Sequence, residues 1–404
     1  MASVAGNGPA AGAALLKEKL EVPEGAQQGG RAKKGGEPRA YAEYRDIEDT
    51  IDRLIGPGHE AMLDRELVNK ASMNEHKNRY SNIFPMDSHL VGLSGGQYIN
   101  ASLLPLPDSA ASFQSNFPAS GFVLKPSESI AASRTNTTDG FHNYVIASGP
   151  MHPSFHGPDT TGDFWRMCWE QRPCAVVCLA KVQAGFSGCS AYFPFHSLSL
   201  PGTHSGGDAL TPVHLSQERE GAEADSEALC VCEYDGDLRV SLLTEEALSS
   251  GIILRHLKIT RRLHTQQQGE SDPLFLDHFH FVSWPNYGIP NCEVELAGLL
   301  DLTFRTCEQT QWRRPLVVHC SGGVGRSGTF VAAHASASRV WRLCAKVPAA
   351  PVEKLLDEVR IPQDVLLMRQ MRHPWMVEGW AQYSLVYQAV AAAIGGRHLP
   401  QQQQ

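Results

Sequence analysis

PLVVHCSGGVGRSGTF, residues 315–330, combines three local patterns in one short stretch. The apolar run before Cys320 is typical of a buried β-strand. A glycine-rich turn follows the strand, and we expect a helix to begin just after Gly328 and to continue through VAAHASASRVWRL. A strand, a turn and a helix in this order indicate an α/β fold.

The turn has the composition of an anion-binding loop. Consecutive backbone N–H groups of a short glycine-rich loop can point inward, and the following helix adds its positive N-terminal end. Arg326 offers a planar fork for two phosphate oxygens. Because the same donors stabilise a thiolate, we expect Cys320 to have a lowered pKa and to be a nucleophile at neutral pH.

Two simpler interpretations fit this stretch less well. An isolated cysteine after a strand usually packs in a core. A glycine-rich turn before a helix is often a nucleotide-binding phosphate loop, but that loop needs lysine before serine or threonine, and Arg326 stands there. The complete string, His319-Cys320 followed by five residues and Arg-Ser-Gly, favours phosphatase chemistry over both.

HCSGGVGRSGT (319–329) resembles the signature of the classical protein tyrosine phosphatases. Other segments resemble further blocks of that family in the expected order, so that the resemblance spans about 40–392. These segments are KNRYSNIFPMD (77–87), YINAS (98–102), YVIASGP (144–150), DFWRMCWEQ (163–171), CSAYFP (189–194), FHFVSWPNYGIP (279–290) and MVEGWAQYSLVYQAV (376–390). The resemblance implies an α/β domain with a highly twisted mixed β-sheet flanked by helices.

The resemblance also implies a two-step mechanism. Cys320 would attack phosphorus and form a cysteinyl phosphate, while Arg326 and the loop amides would bind the phosphate oxygens. The loop amides are those of Ser321, Gly322, Gly323, Val324 and Gly325. Ser327 would hydrogen-bond the sulfur and help it leave, and His319 would orient the loop and lower the pKa of Cys320.

The same resemblance implies the substrate and its contacts. Tyr80 would stack on the phosphotyrosine ring and set the pocket depth, and Asn82 stands where an aspartate usually holds the substrate backbone. The implied partners are phosphotyrosine-containing proteins. We expect no cofactor and no metal, because Arg326 and the loop amides neutralise the phosphate.

The mobile acid loop departs from the family pattern. It reads Trp284-Pro285-Asn286 where the family has Trp-Pro-Asp. The aspartate gives a proton to the departing phenolate, which asparagine cannot do. Loss of a general acid typically lowers a rate by about 10²- to 10⁴-fold. Asparagine still forms hydrogen bonds, so substrate binding is compatible with failing turnover.

Further departures cluster around the same site. Gln183 replaces the glutamate that orients the catalytic arginine, and Gly188 stands where the family often has a lysine that bridges the mobile loop. Glu378 replaces the glutamine that places the hydrolytic water, although Gln382, the second glutamine of that loop, is retained. We offer the hypothesis that Glu378 takes part of the lost acid–base role; the alternative is neutral drift in a chain that no longer hydrolyses efficiently.

Composition narrows the function classes. A net charge of −8 and a pI of about 6.1 argue against a general nucleic-acid binder. No run of eighteen apolar residues is present, so we expect no membrane span. Ten cysteines without a secretory signal indicate reduced thiols and a cytoplasmic location, with the nucleus not excluded. The Cys174/Cys178 and Cys230/Cys232 pairs are better explained as structural thiols than as zinc ligands.

The pattern along the chain predicts one folded domain over 39–395. Residues 1–38 and 396–404 are expected to be disordered tails, and 104–141 and 197–228 are expected to be loop insertions. Helices are expected near 40–55, 59–70, 162–171 and 381–394, and strands near 144–150, 174–181, 251–263 and 276–284.

Three functions follow from these observations. The first is an active tyrosine phosphatase, supported by Cys320, Arg326 and Ser327, with turnover reduced by Asn286. The second is a pseudophosphatase that binds phosphotyrosine proteins without efficient hydrolysis. The third, a phosphoinositide phosphatase, is disfavoured because the loop carries no lysine and Tyr80 favours a ring.

Overall fold

A computed structural model describes the chain over ten ranges: 8–21, 37–55, 67–112, 140–152, 158–182, 188–194, 228–262, 272–285, 288–290 and 292–396. The α-helices in these ranges are α1 (Pro9–Glu18), α2 (Arg39–Ile55), α3 (Asn69–Met73), α4 (Thr161–Gln171), α5 (Glu293–Gln309), α6 (Gly325–Lys346), α7 (Val352–Glu358), α8 (Ile361–Met371) and α9 (Gly379–Gly396). The strands are β1 (Ala101–Pro107), β2 (Phe141–Ala147), β3 (Ala175–Cys178), β4 (Cys230–Tyr234), β5 (Leu238–Ala247), β6 (Ile252–Arg261), β7 (Leu274–Phe281) and β8 (Leu316–His319).

The strands form one mixed sheet in the order β1-β2-β8-β3-β7-β6-β5-β4. Its centre is parallel: β8 lies between β2 and β3, and β3 also pairs with β7. The outer strands pair antiparallel. Strand β8 is buried along its whole length, as expected for a central parallel strand covered on both faces.

Alternate side chains of the central strand β8 pack in two different hydrophobic cores. Leu316 and Val318 of β8 belong to the core formed with α5, α6 and α9, whereas Val317 belongs to the core on the α4 side. Side chains of successive strand residues point to opposite faces, so one strand contributes to both layers. The end of β8 therefore opens onto a loop held between two rigid layers.

Helix α6 follows that loop and runs through the middle of one layer. It packs against α5, α7, α8 and α9 and is buried from Gly325 through Trp341. Its small residues, such as Ala333 and Ala337, allow neighbouring helices to approach closely. The start of α6 is consequently fixed by packing along the rest of the helix.

The predicted α/β fold with a mixed sheet is confirmed. Helices α2, α4 and α9 lie where the sequence predicts them, and β6 and β7 match their predicted strands within three residues. Helix α6 begins at Gly325, before the predicted start after Gly328, because the Gly328 N–H already donates to the Val324 carbonyl at 2.8 Å. Arg326 and Ser327 therefore lie in its first turn.

Two other expectations differ from the structure. Disorder was expected over 1–38, but α1 is helical and its buried Leu16 packs in the α9 side of the core. The insertion expected from 104 begins later, since β1 extends to Pro107 and pairs with β2. Residues 1–7 and 22–36 of the predicted tail lie outside the described residues. The same holds for 56–66, 113–139, 195–227 and 397–404, which include parts of the other predicted segments. No helix in the described ranges is long and apolar enough to span a membrane.

Candidate active site

The loop between β8 and α6, residues 320–324, is called the anion loop below. Its carbonyl groups are turned outward. The Ser321 carbonyl accepts the Gly149 N–H at 2.8 Å, and the Gly322 carbonyl accepts the Ser148 hydroxyl at 3.0 Å. Gly323 has φ of 69°, a conformation that favours glycine, and a side chain there would meet the Ala147 carbonyl oxygen. With the carbonyls held on the outside, the loop N–H groups can point toward the inside, where an anion would lie.

Cys320 lies at the start of this loop and is 3% exposed. The Gly323 N–H points at its Sγ at 3.2 Å. Burial alone raises the pKa of the thiol, but the Arg326 guanidinium and hydrogen bonds from Ser327 and the Val324 N–H outweigh it and lower the pKa below its ordinary value. The sequence prediction of a lowered thiol pKa agrees with this geometry, which favours a nucleophilic thiolate.

His319 is buried and bonded on both ring nitrogens. Its Nδ1 lies 3.1 Å from the Cys320 carbonyl, which can only accept, so Nδ1 carries the proton. Its Nε2 lies 2.6 Å from the Tyr192 hydroxyl, which in turn lies 2.8 Å from Nε2 of His278. This chain of hydrogen bonds fixes the ring against the backbone of the nucleophile.

Arg326 and Ser327 occupy the first turn of α6. The Arg326 Nη1 donates to the Leu179 carbonyl at 3.2 Å, beyond the end of β3. The family resemblance puts an orienting acid in the segment after Leu179, but Gln183, which replaces it, lies outside the described residues. The backbone carbonyl of Leu179 is thus one contact that orients this guanidinium.

The tyrosine of the KNRY segment borders the loop. The Tyr80 hydroxyl lies 2.6 Å from the Ser321 hydroxyl, and a Cβ at Gly322 would lie 2.7 Å from Ile83 Cδ1 and 3.3 Å from the Tyr80 ring. Tyr80 and Ile83 thus form an apolar wall beside the anion loop, suited to an aromatic ring. Asn82 is exposed, and its carbonyl accepts a hydrogen bond from His373 at 3.1 Å.

The sequence model of the family described as Protein-tyrosine phosphatase matches residues 74–206 and 224–392. The chain belongs to this family. The matched ranges contain the anion loop, the Tyr80 wall and the segment around Glu378.

Three relatives of this chain have receptor-type names. The chain is 28% identical over 349 residues to human Receptor-type tyrosine-protein phosphatase H, covering 85% of this chain and 23% of that protein. It is 27% identical over 330 residues to mouse Receptor-type tyrosine-protein phosphatase eta (80% and 19%) and 26% identical over 358 residues to chicken Receptor-type tyrosine-protein phosphatase S (86% and 17%). The chain thus spans less than a quarter of the length of these relatives.

A buried arginine that the sequence patterns did not identify supports the anion loop. Arg372 donates to the carbonyls of Gly323 at 2.7 Å and Gly322 at 3.3 Å, and also to Asn100 at 3.0 Å and Ser102 at 3.2 Å. Burial lowers the pKa of Arg372 to about 10, so it remains charged at neutral pH. Arg372 holds two of the loop carbonyls outward.

Three potential metal ligands meet behind the loop. One ligand atom each of Cys178, His278 and His319 lies within 4.8 Å of the others, and all three residues are buried. The Tyr192 hydroxyl, however, lies between the two imidazoles and bonds both. Burial keeps the pKa of His278 well below its ordinary value, so it is neutral. We interpret the group as a hydrogen-bonded support for His319.

The segment after α8 places two predicted site residues beside the anion loop. Gln382 accepts the Glu378 N–H at 3.0 Å and the Thr329 hydroxyl at 3.3 Å. Both side chains crowd the Gly325 backbone: a Cβ there would lie 2.8 Å from Gln382 Oε1 and 3.1 Å from Glu378 Oε2. In the Trp-Pro-Asn segment, Trp284 is buried and its indole N–H donates to the Gly288 carbonyl at 3.2 Å. Asn286, between these two residues, lies outside the described residues.

Proposed function

We propose that this chain is a protein tyrosine phosphatase that hydrolyses phosphotyrosine in proteins through a cysteinyl-phosphate intermediate, with turnover limited by Asn286. One observation carries the proposal: a thiol with a lowered pKa lies inside a loop whose N–H groups, with Arg326, can surround a tetrahedral anion. Membership of the family supports the same reaction class.

In the first step, the Cys320 thiolate forms a sulfur–phosphorus bond as the bond from phosphorus to the tyrosine oxygen breaks. The electron pair leaves with the phenolate, which then takes a proton. Arg326 and the loop amides stabilise the charge on the transferring phosphoryl group without a metal. Asn286 cannot supply the proton, so this step is expected to be slow.

The substrate class follows from the wall beside the loop. Tyr80 and Ile83 would flank an aromatic ring, and Asn82 on the exposed side would contact the peptide backbone. We therefore propose phosphotyrosine-containing proteins as partners. We propose a reducing, cytoplasmic setting, which is supported by ten cysteines that form no disulfide.

A second candidate is a pseudophosphatase that captures phosphotyrosine proteins and shields them. Its support is the replacement of carboxylates at Asn286, Gln183 and Asn82 by amides, which retain hydrogen bonding and lose acid–base chemistry. The binding groups of the anion loop would serve this function equally well.

The test is phosphate release from a phosphotyrosyl peptide by the natural protein, Cys320→Ser and Asn286→Asp. We expect slow release that is absent from Cys320→Ser, and a gain of about 10²-fold or more in Asn286→Asp, the size typical of a general acid. No release from the natural protein, together with tight peptide binding, would favour the pseudophosphatase instead.

A further inference from the structure

The turn that carries Glu378 has a strained backbone. Val377 is β-branched, yet it has φ of 62°, in the left-handed region that such residues rarely adopt. Gly379 follows with φ of 76°. A conformation of this kind is strained for a residue with a side chain, and it persists only where the surroundings impose it. The turn therefore has a geometry that its own sequence does not favour.

Buried contacts impose that geometry. Arg369 donates to the Met376 carbonyl at 3.0 Å and to the Val377 carbonyl at 3.3 Å, and its guanidinium pairs with Glu48 at 2.7 Å. Val377 is fully buried, and a Cβ at Gly328 in α6 would lie 2.7 Å from its backbone nitrogen. The turn is thereby fixed against the same helix that bears Arg326.

The fixed turn directs a carboxylate to the anion loop. Glu378 Oε2 lies beside the Gly325 backbone, and the Glu378 N–H is held by the Gln382 side chain at 3.0 Å. Glu378 is nevertheless exposed, so its carboxylate can meet water and exchange protons with solvent. The neighbouring Gln382 amide has its oxygen engaged with Thr329 and the Glu378 N–H.

A carboxylate at this place does not help to bind the substrate. It would repel a phosphate in the loop, since like charges at short distance disfavour each other. A carboxylate can, however, take a proton from water, which an amide such as that of Asn286 cannot. The carboxylate would therefore favour a reaction in which a water molecule loses a proton and attacks phosphorus in this loop.

We infer that Glu378 is the general base that activates water for hydrolysis of the Cys320 phosphate; this rests on the proposed function. The water oxygen forms a bond to phosphorus while the sulfur–phosphorus bond breaks. The sulfur keeps the electron pair and returns to a thiolate, and the water proton passes to the Glu378 carboxylate. Hydrogen phosphate leaves, and Glu378 then releases the proton to solvent.

The test is rapid-quench measurement of phosphoenzyme with a ³²P-labelled phosphotyrosyl peptide and the full chain. Glu378→Gln keeps the shape and can hold water, but it cannot accept a proton. We expect its rate of phosphoenzyme breakdown to fall about 10²-fold or more, so that labelled Cys320 accumulates, while phosphoenzyme formation is not slowed. Glu353→Gln, which removes an exposed glutamate of α7, is the matched control and should match the natural protein.

The possible outcomes separate the two proposals. Accumulation in Glu378→Gln, with partial recovery of breakdown in Glu378→Asp, supports the general base. Labelled Cys320 that clears equally fast in the natural protein and Glu378→Gln overturns the role of Glu378 alone. If Cys320 is labelled in no variant and the natural protein releases no phosphate, the proposed hydrolysis fails, and the general base fails with it. Phosphate release by Glu378→Gln at the natural rate, without labelled Cys320, overturns the general base alone.

Discussion

Replacing Gly328 with alanine places two physical effects in opposition. Alanine is favoured over glycine inside a helix by about 1 kcal/mol, which would stabilise α6. The new Cβ, however, would lie 2.7 Å from the Val377 nitrogen. That is well short of the ~3.5 Å at which non-bonded heavy atoms pack, so helix or turn must move by about 0.8 Å.

The strained turn cannot move without losing its buried contacts. Overpacking of this kind costs about 1–3 kcal/mol. Gly298, in the middle of α5, is the matched control, because a Cβ there meets nothing within 4 Å. We expect Gly298→Ala to stabilise the protein by about 1 kcal/mol and Gly328→Ala to fall below it by about 1–3 kcal/mol, since helix propensity is common to both.

The first measurement is the free energy of unfolding of both variants in urea, with the slopes of the transitions compared to check that the unfolding reaction is the same. The second measurement is kcat/KM with a phosphotyrosyl peptide. A displacement near 1 Å beside a reacting centre can lower a rate about 10²-fold, so Gly328→Ala should lose activity and Gly298→Ala should not. Equal stabilisation by the two alanines would refute the reasoning, because it would mean that α6 and the turn have room to separate.

Three further changes have defined outcomes. Arg372→Met should lower the free energy of unfolding by about 3 kcal/mol or more in denaturant titrations, because buried acceptors lose a charged donor. Arg326→Met should move the pH midpoint of Cys320 alkylation upward, since the guanidinium lowers the pKa of that thiol. Burial lowers the pKa of His334 from 6.5 to about 3. His334 therefore takes up a proton less readily in the folded protein than in the unfolded chain. Stability should be complete above pH 6.5 and decline as the pH falls toward 3, and His334→Gln should flatten that decline.

The sequence predicted the parts of the site that are contiguous in the chain. The strand, the glycine turn and Cys320 lie within one short stretch, and each follows a local rule. The start of α6 was placed too late because Gly328 was treated as the last residue of the turn. It lies within the first turn of the helix, where its missing side chain admits the backbone of Val377.

Other parts depend on contacts between distant segments. Arg369 and Arg372 are buried, although arginine is usually exposed, and each donates to two backbone carbonyls. No periodic pattern in the sequence marks such residues. Helix α1 comes from a glycine- and alanine-rich segment whose composition is typical of disorder. Its small residues pack closely on α9, where Ala13 lies beside Gly395.

The position of β8 affects how the chain folds as it is synthesised. Strands β2 and β3 are made early, but the strand that fills the space between them is made much later. Until β8 emerges from the ribosome, the edges of β2 and β3 that will pair with it remain unpaired, and such edges are prone to wrong pairing. Because Cys320 directly follows β8, the nucleophile gains its surroundings only when the sheet closes. A nascent or truncated chain that stops before β8 thus has no reactive thiol loop, and pairing of such distant segments makes slow folding the expectation.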